Sequence, residues 1–133
     1  MLNSAATGAR TLSQVLVMDA DQITMVDVLS SHDFSNGEYK SGKRTLIIFH
    51  AAWCPFCRRF LSEFARLLPP GGMPVGLVDI SDTGSALWDT LSIDVVPTAL
   101  VFDDHKVVDR LDGISGQGLP PSEFRSFAER AAL

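Results

Sequence analysis

The sequence predicts a single α/β domain, and three observations carry that expectation. Residues 45–49 (Thr-Leu-Ile-Ile-Phe) are β-branched, aromatic and almost wholly apolar, the composition of a central strand buried on both faces. Soon after them Phe60, Leu61, Phe64, Leu67 and Leu68 recur at helical spacing, with Arg59, Glu63 and Arg66 able to pair on the opposite face. Strand-like and helix-like stretches then follow one another to the C-terminus. The 133 residues suit one domain, and 46% of them are hydrophobic, enough for a sizeable core.

In chain order, residues 1–10 are small and polar and are expected to fray. Residues 23–29 (Ile-Thr-Met-Val-Asp-Val-Leu) read as the first strand from their β-branched content. Residues 1–22 are then an N-terminal extension to a domain spanning 23–133, with Val15-Leu16-Val17-Met18 a candidate extra strand. In the rival reading that stretch is itself the first strand, 21–31 the first helix and 32–43 a loop. The helix around Phe64 ends at Pro69-Pro70-Gly71-Gly72. Val75-Gly76-Leu77-Val78-Asp79 reads as a strand, and residues 82–92 as a helix on Leu87, Trp88 and Leu91, with Trp88 in the core. Ala99-Leu100-Val101-Phe102 and Val107-Val108-Asp109-Arg110-Leu111 make a hairpin, with Asp103 and Asp104 as turn formers. Pro121-Ser122-Glu123 opens a last helix with Phe124, Phe127 and Ala131 on one side.

Charge and composition exclude several classes. Eleven Lys and Arg against sixteen Asp and Glu give a net charge of −5, which argues against nucleic acid as the main partner. No apolar run approaches the roughly 20 residues of a membrane helix, so no membrane span is expected. A secretory signal needs a basic start and an apolar stretch of about 7 to 15 residues, which the region around Val15 does not supply. The expected location is cytoplasmic, or periplasmic or secreted if a signal peptide was removed.

Cys54 and Cys57 are the only cysteines. Closing so short a loop removes little unfolded-state entropy, so the pair suits a disulfide that opens and closes better than a structural bridge. Cys54 lies where the strand ends and the helix begins, and Pro55 fits the first helical turn, where a missing N–H costs nothing. Free N–H groups and the positive end of the helix favour an anion there, and a thiol in such a motif ionises at about 7 or below. Cys57, on the inner face, is expected to be less exposed and less acidic. Cys54 then attacks a substrate disulfide and Cys57 resolves the mixed disulfide.

Trp53-Cys54-Pro55-Phe56-Cys57 after an apolar strand resembles the active-site motif of the thioredoxin family. The resemblance extends over roughly residues 23–133. It includes Ile93-Asp94-Val95-Val96-Pro97-Thr98, similar to the segment that carries a cis proline opposite the cysteines, and Gly113 after the last strand. It implies a thioredoxin fold, a central mixed sheet of four to five strands flanked by helices. X–Pro bonds are cis in only about 5–6% of cases, so composition alone favours trans at Pro97, and the resemblance reverses that. A cis bond turns the Val96 backbone toward Cys54, where an extended substrate can pair as an added strand. Trp53, Pro55, Phe56, Val96 and Pro97 form the implied docking rim.

Two departures stand out. The family usually places Gly-Pro between the cysteines; Pro55-Phe56 is closer to the Pro-aromatic pair of glutaredoxins. Ile48 occupies the position of a buried aspartate thought to relay a proton for the resolving cysteine, and Leu77 stands where a lysine is often found nearby. Proton transfer for Cys57 then falls to water, the substrate or His50, although His50 reads first as a packed ring. His32 and His105 read as loop residues. They lie too scattered to complete the four ligands of a zinc site, so no metal is expected.

The expected function is thiol–disulfide exchange with protein substrates, as a reductase and a monomer, using the Cys54–Cys57 disulfide and no organic cofactor. Reducing equivalents come from a reductase or another dithiol protein. The alternatives are a glutaredoxin-like glutathione-dependent enzyme, an extracytoplasmic oxidase or maturation reductase, and a non-enzymatic adaptor or soft-metal module.

Overall fold

Residues 45–49 lie near the middle of a six-stranded sheet in the computed structural model, which describes residues 14–19 and 22–133. The fraying expected of residues 1–10 concerns residues outside those described. The strands are β1 (Gln14–Asp19), β2 (Gln22–Leu29), β5 (Thr45–His50), β6 (Val75–Asp79), β7 (Thr98–Asp103) and β8 (Lys106–Leu111). They lie in the order β1-β2-β6-β5-β7-β8. β2 and β5 run parallel to β6, and the other neighbours are antiparallel, which makes the sheet mixed. It has one strand more than the four to five expected, because β1 folds back on β2 with Gln14 opposite Asp27 and Asp19 opposite Gln22. Both N-terminal apolar stretches are therefore strands, and the rival helix over 21–31 does not form.

Between β2 and β5, where the rival reading placed a loop, the chain makes a 3-10 turn (Ser31–Asp33) and a two-stranded ribbon, β3 (Phe34–Ser35) and β4 (Glu38–Tyr39). Asn36 and Gly37 both have positive φ at its tip, the backbone of a tight hairpin turn. The ribbon delivers Phe34 and Tyr39 against Phe102, with ring centroids 5.6 and 5.9 Å apart, and so seals one face of the sheet.

The alternation of β5 divides the core. Ile47 and Phe49 join Val78, Leu100, Phe34 and both cysteines on one face. Leu46 and Ile48 join Val75, Phe60, Phe64, Phe124 and Phe127 on the other. The cover is α1 (Pro55–Leu61), a 3-10 segment (Phe64–Leu67), α2 (Leu87–Thr90) and α3 (Pro121–Ala131).

Two expected helices are shorter than their periodicity suggests. The helix through residues 60–68 breaks after Leu61, because the Ser62 hydroxyl donates to the Arg59 carbonyl at 2.7 Å and Glu63 leaves helical geometry. Phe64 and Leu67 still reach the core through the 3-10 segment, and Phe64 stacks on Phe60 at 5.9 Å. Residues 82–92 form only the single turn of α2, since the Asp82 carboxylate accepts the Gly84 N–H at 2.9 Å and its carbonyl takes Ser85 N–H at 3.0 Å.

Candidate active site

β5 ends at His50, and the chain turns through Ala51, Ala52 and Trp53 before Cys54 caps α1. Cys54 is in extended conformation, Pro55 occupies the first turn, and the Cys57 backbone N–H donates to Cys54 Sγ at 3.1 Å. The cap is therefore the sulfur itself. Cys54 also donates to the Val96 carbonyl at 3.5 Å, across the sequence gap that separates the two motifs. The Val96–Pro97 peptide bond is cis. Thr98 Oγ1 donates to the Val95 carbonyl at 2.6 Å and accepts the Gly113 N–H at 3.1 Å, which pins this turn to the segment after β8.

Cys57 is the less exposed of the two, as expected, although both are buried, at 4% for Cys54 and 1% for Cys57. Their surroundings differ more. Burial, reinforced by the side-chain hydrogen bond with Cys54, pushes the Cys57 thiol from an ordinary 9.0 up to about 12; the Ala51 backbone and the Arg58 guanidinium pull weakly the other way.

Trp53 is 54% exposed, and its indole N–H donates to the Ser81 carbonyl at 2.9 Å. Ser81 Oγ accepts the Ala52 N–H at 2.7 Å and donates to the Asp79 carboxylate. Pro55 is exposed and Phe56 half-buried, with Gly118 against its Cβ and the Arg59 guanidinium 5.6 Å from its ring. Trp88, read from sequence as core, is instead half-buried beside Trp53: the rings are 6.4 Å apart and within 10° of parallel. Helical periodicity measures only distance along a local axis, and α2 is too short for it to apply.

His50 is half-buried at the end of β5, in register with Asp79 on β6. Burial lowers its pKa, and the Asp79 charge opposes that shift. The Ser81 hydrogen bond holds the Asp79 carboxyl below its usual range. The place of Asp79, Ser81 and Trp88 at the site is not marked in the sequence, because strand register and the loop after β6 bring them there and no local motif does. Among the described residues, no cluster of three or more His, Cys, Asp or Glu is placed to hold a metal ion, and no helix is long and apolar enough to cross a membrane.

A mixed sheet with a dithiol where its central strand meets a helix, faced by a cis-proline turn, defines a thioredoxin-fold protein with a redox-type cysteine pair. The thioredoxin family model matches residues 25–120, and the chain belongs to the thioredoxin family of thiol–disulfide oxidoreductases. It is 31% identical over 107 residues to a thioredoxin of Coprinus comatus, covering 78% of this chain and all of that one. Thioredoxin of Malassezia sympodialis is similar in structure, with a TM-score of 0.55 at 23% identity over 69% of this chain and 77% of that one. The matched chain in a crystal structure of ferredoxin:thioredoxin reductase with thioredoxin f2 gives a TM-score of 0.62 at 20% identity, over 81% of this chain and 96% of that one. The two structural likenesses bear on the fold.

Proposed function

We propose that the chain is a protein-disulfide reductase working by dithiol–disulfide exchange. The observation that carries this reading is the asymmetry of the pair: Cys54 Sγ accepts the Cys57 N–H at the start of α1, while burial keeps Cys57 protonated, up to about 12. The Cys54 thiolate attacks one sulfur of a substrate disulfide, forms a mixed disulfide and expels the other sulfur as a thiolate. Cys57 then gives up its proton, to water, to His50 or to the departing substrate thiolate, and attacks Cys54 Sγ. This releases the second substrate thiol and leaves a Cys54–Cys57 disulfide. Two electrons pass to the substrate, and the pair is the redox group.

The Val96 carbonyl beside Cys54 supports docking of an extended substrate segment, with Trp53, Pro55, Phe56 and Pro97 around it. Reducing equivalents come from a reductase or another dithiol protein. We assign this role to a reductase, the kind of partner with which thioredoxin f2, a protein of similar fold, is crystallised. A monomer in the cytoplasm, where thiols are kept reduced, suits this direction of flow.

Equilibration in glutathione buffers with thiol trapping tests the direction, and Cys57→Ser tests the chemistry. A reductase has a midpoint near about −270 mV, and Cys57→Ser accumulates substrate proteins as mixed disulfides on Cys54. A midpoint above about −180 mV indicates an oxidant or isomerase instead. Failure to form an intramolecular disulfide at any poise overturns the redox reading.

A further inference from the structure

Trp53 stands immediately before Cys54, more than half exposed, and an exposed indole on a loop is a poor docking surface unless something holds its plane. Two contacts hold it here. Its N–H is tied to the Ser81 carbonyl at 2.9 Å, which fixes one edge. Its face lies against Trp88 with the ring planes 10° apart, which fixes the tilt. Trp88 is anchored in turn: its indole N–H donates to the Asp82 carbonyl at 3.2 Å, its carbonyl accepts the Ile93 N–H at 2.8 Å, and its ring packs on the core cluster that includes both cysteines. Both indoles are thus hung from consecutive carbonyls of one segment, Ser81 and Asp82, just beyond the end of β6. The Ser81 side chain, through the Ala52 N–H, ties the same segment to the loop that leads into Cys54.

We propose that Trp88 is a positioning residue for protein substrates: stacked on Trp53, it holds the exposed indole beside Cys54 and completes a two-ring apolar wall against which a substrate side chain next to the scissile disulfide packs. This rests on the exchange chemistry proposed above and adds the substrate class, protein disulfides flanked by apolar or aromatic side chains. A small disulfide has no flanking chain to meet the wall, so Trp88 acts on one kind of substrate and not on the other.

The test compares the rates at which the reduced protein is oxidised by insulin and by hydroxyethyl disulfide, followed by thiol trapping. Trp88→Ala lowers the ratio of the insulin rate to the hydroxyethyl disulfide rate by roughly two- to tenfold, the span of an aromatic pair contact. Trp88→Phe restores most of it, and the reduction potential stays at the wild-type value. The coupled bands that two stacked indoles give in far-ultraviolet circular dichroism vanish in both variants, which verifies the stack in solution. An unchanged ratio in Trp88→Ala overturns the inference. So does an equal fall with both disulfides, or a shifted potential, since either means that Trp88 only supports α2 and the cysteine loop. If the wild-type protein is oxidised by neither disulfide, the exchange reading itself fails, a result distinct from these.

Discussion

Ile48 and Leu77 are register partners across β5 and β6, an apolar pair where the family pattern has a buried carboxylate with a lysine often nearby. Ile48 is fully buried among Phe60, Phe64, Phe124 and their neighbours. The protein thereby avoids the desolvation cost of a buried charge and gives up an internal proton acceptor on that strand.

Restoring a carboxylate at this position is therefore costly. Ile48→Asp is expected to lose about 3 kcal/mol or more of folding free energy, the sum of lost apolar packing and an unpaired buried polar group. Burial raises the pKa of the introduced carboxyl in the folded state, so the loss is smaller at pH 4, where the group is neutral, and grows as pH rises. Urea denaturation at pH 4 and pH 8 measures both; equal penalties at the two pH values would contradict the burial of this position.

The raised Cys57 thiol sets a second pH dependence. Its folded pKa lies near 12 against an ordinary 9.0, so the protonated form is favoured by folding. That contribution is complete below about pH 9 and is lost as pH rises from there toward 12, where the unfolded chain releases a proton that the folded one keeps. Tyr39, raised chiefly by burial, adds a slope of the same sign above pH 10. Comparing the reduced wild type with Cys57→Ala by denaturant unfolding at pH 8 and pH 10 isolates the thiol. The wild type loses more stability over that interval than the variant does, and parallel losses would refute the assignment.

Gly113 closes the back of the site. A Cβ there would overlap the Pro97 carbonyl oxygen and press on Val95 Cγ1 at 3.2 Å, so only glycine lets the segment after β8 lie against the turn that faces Cys54. Gly113→Ala is expected to cost about 1–3 kcal/mol, as overpacking does, and to slow disulfide exchange by moving the Val96 carbonyl relative to Cys54. Thermal unfolding together with the insulin rate checks this; a variant with wild-type values of both would show that the contact relaxes freely.

Much of this architecture was legible without coordinates. The strand at residues 45–49, the hairpin after Pro97 and the terminal helix on Phe124 and Phe127 announce themselves because each buries a contiguous or periodic apolar set, and burial is written directly in side-chain type. The cysteine pair was legible for the same reason, since its strand-to-helix setting is local. Even Asn36-Gly37 carried a usable signal for the β3–β4 ribbon, passed over because two-residue strands have no period to read.

What the chain alone determined, then, is which segments must be buried and where the thiols sit. Tertiary structure decided what stands next to them. Two helices were cut short by the hydroxyl of Ser62 and the carboxylate of Asp82, which satisfy nearby backbone groups better than continued helix does. Strand register set Leu77 opposite Ile48 and Asp79 opposite His50. The loop after β6 set Trp88 at the edge of the core, against Trp53. The two helix stops are local, made between residues two and three positions apart, but the register pairs and the indole stack join residues tens of positions apart, and their energy depends on distances that no local pattern of residue types encodes.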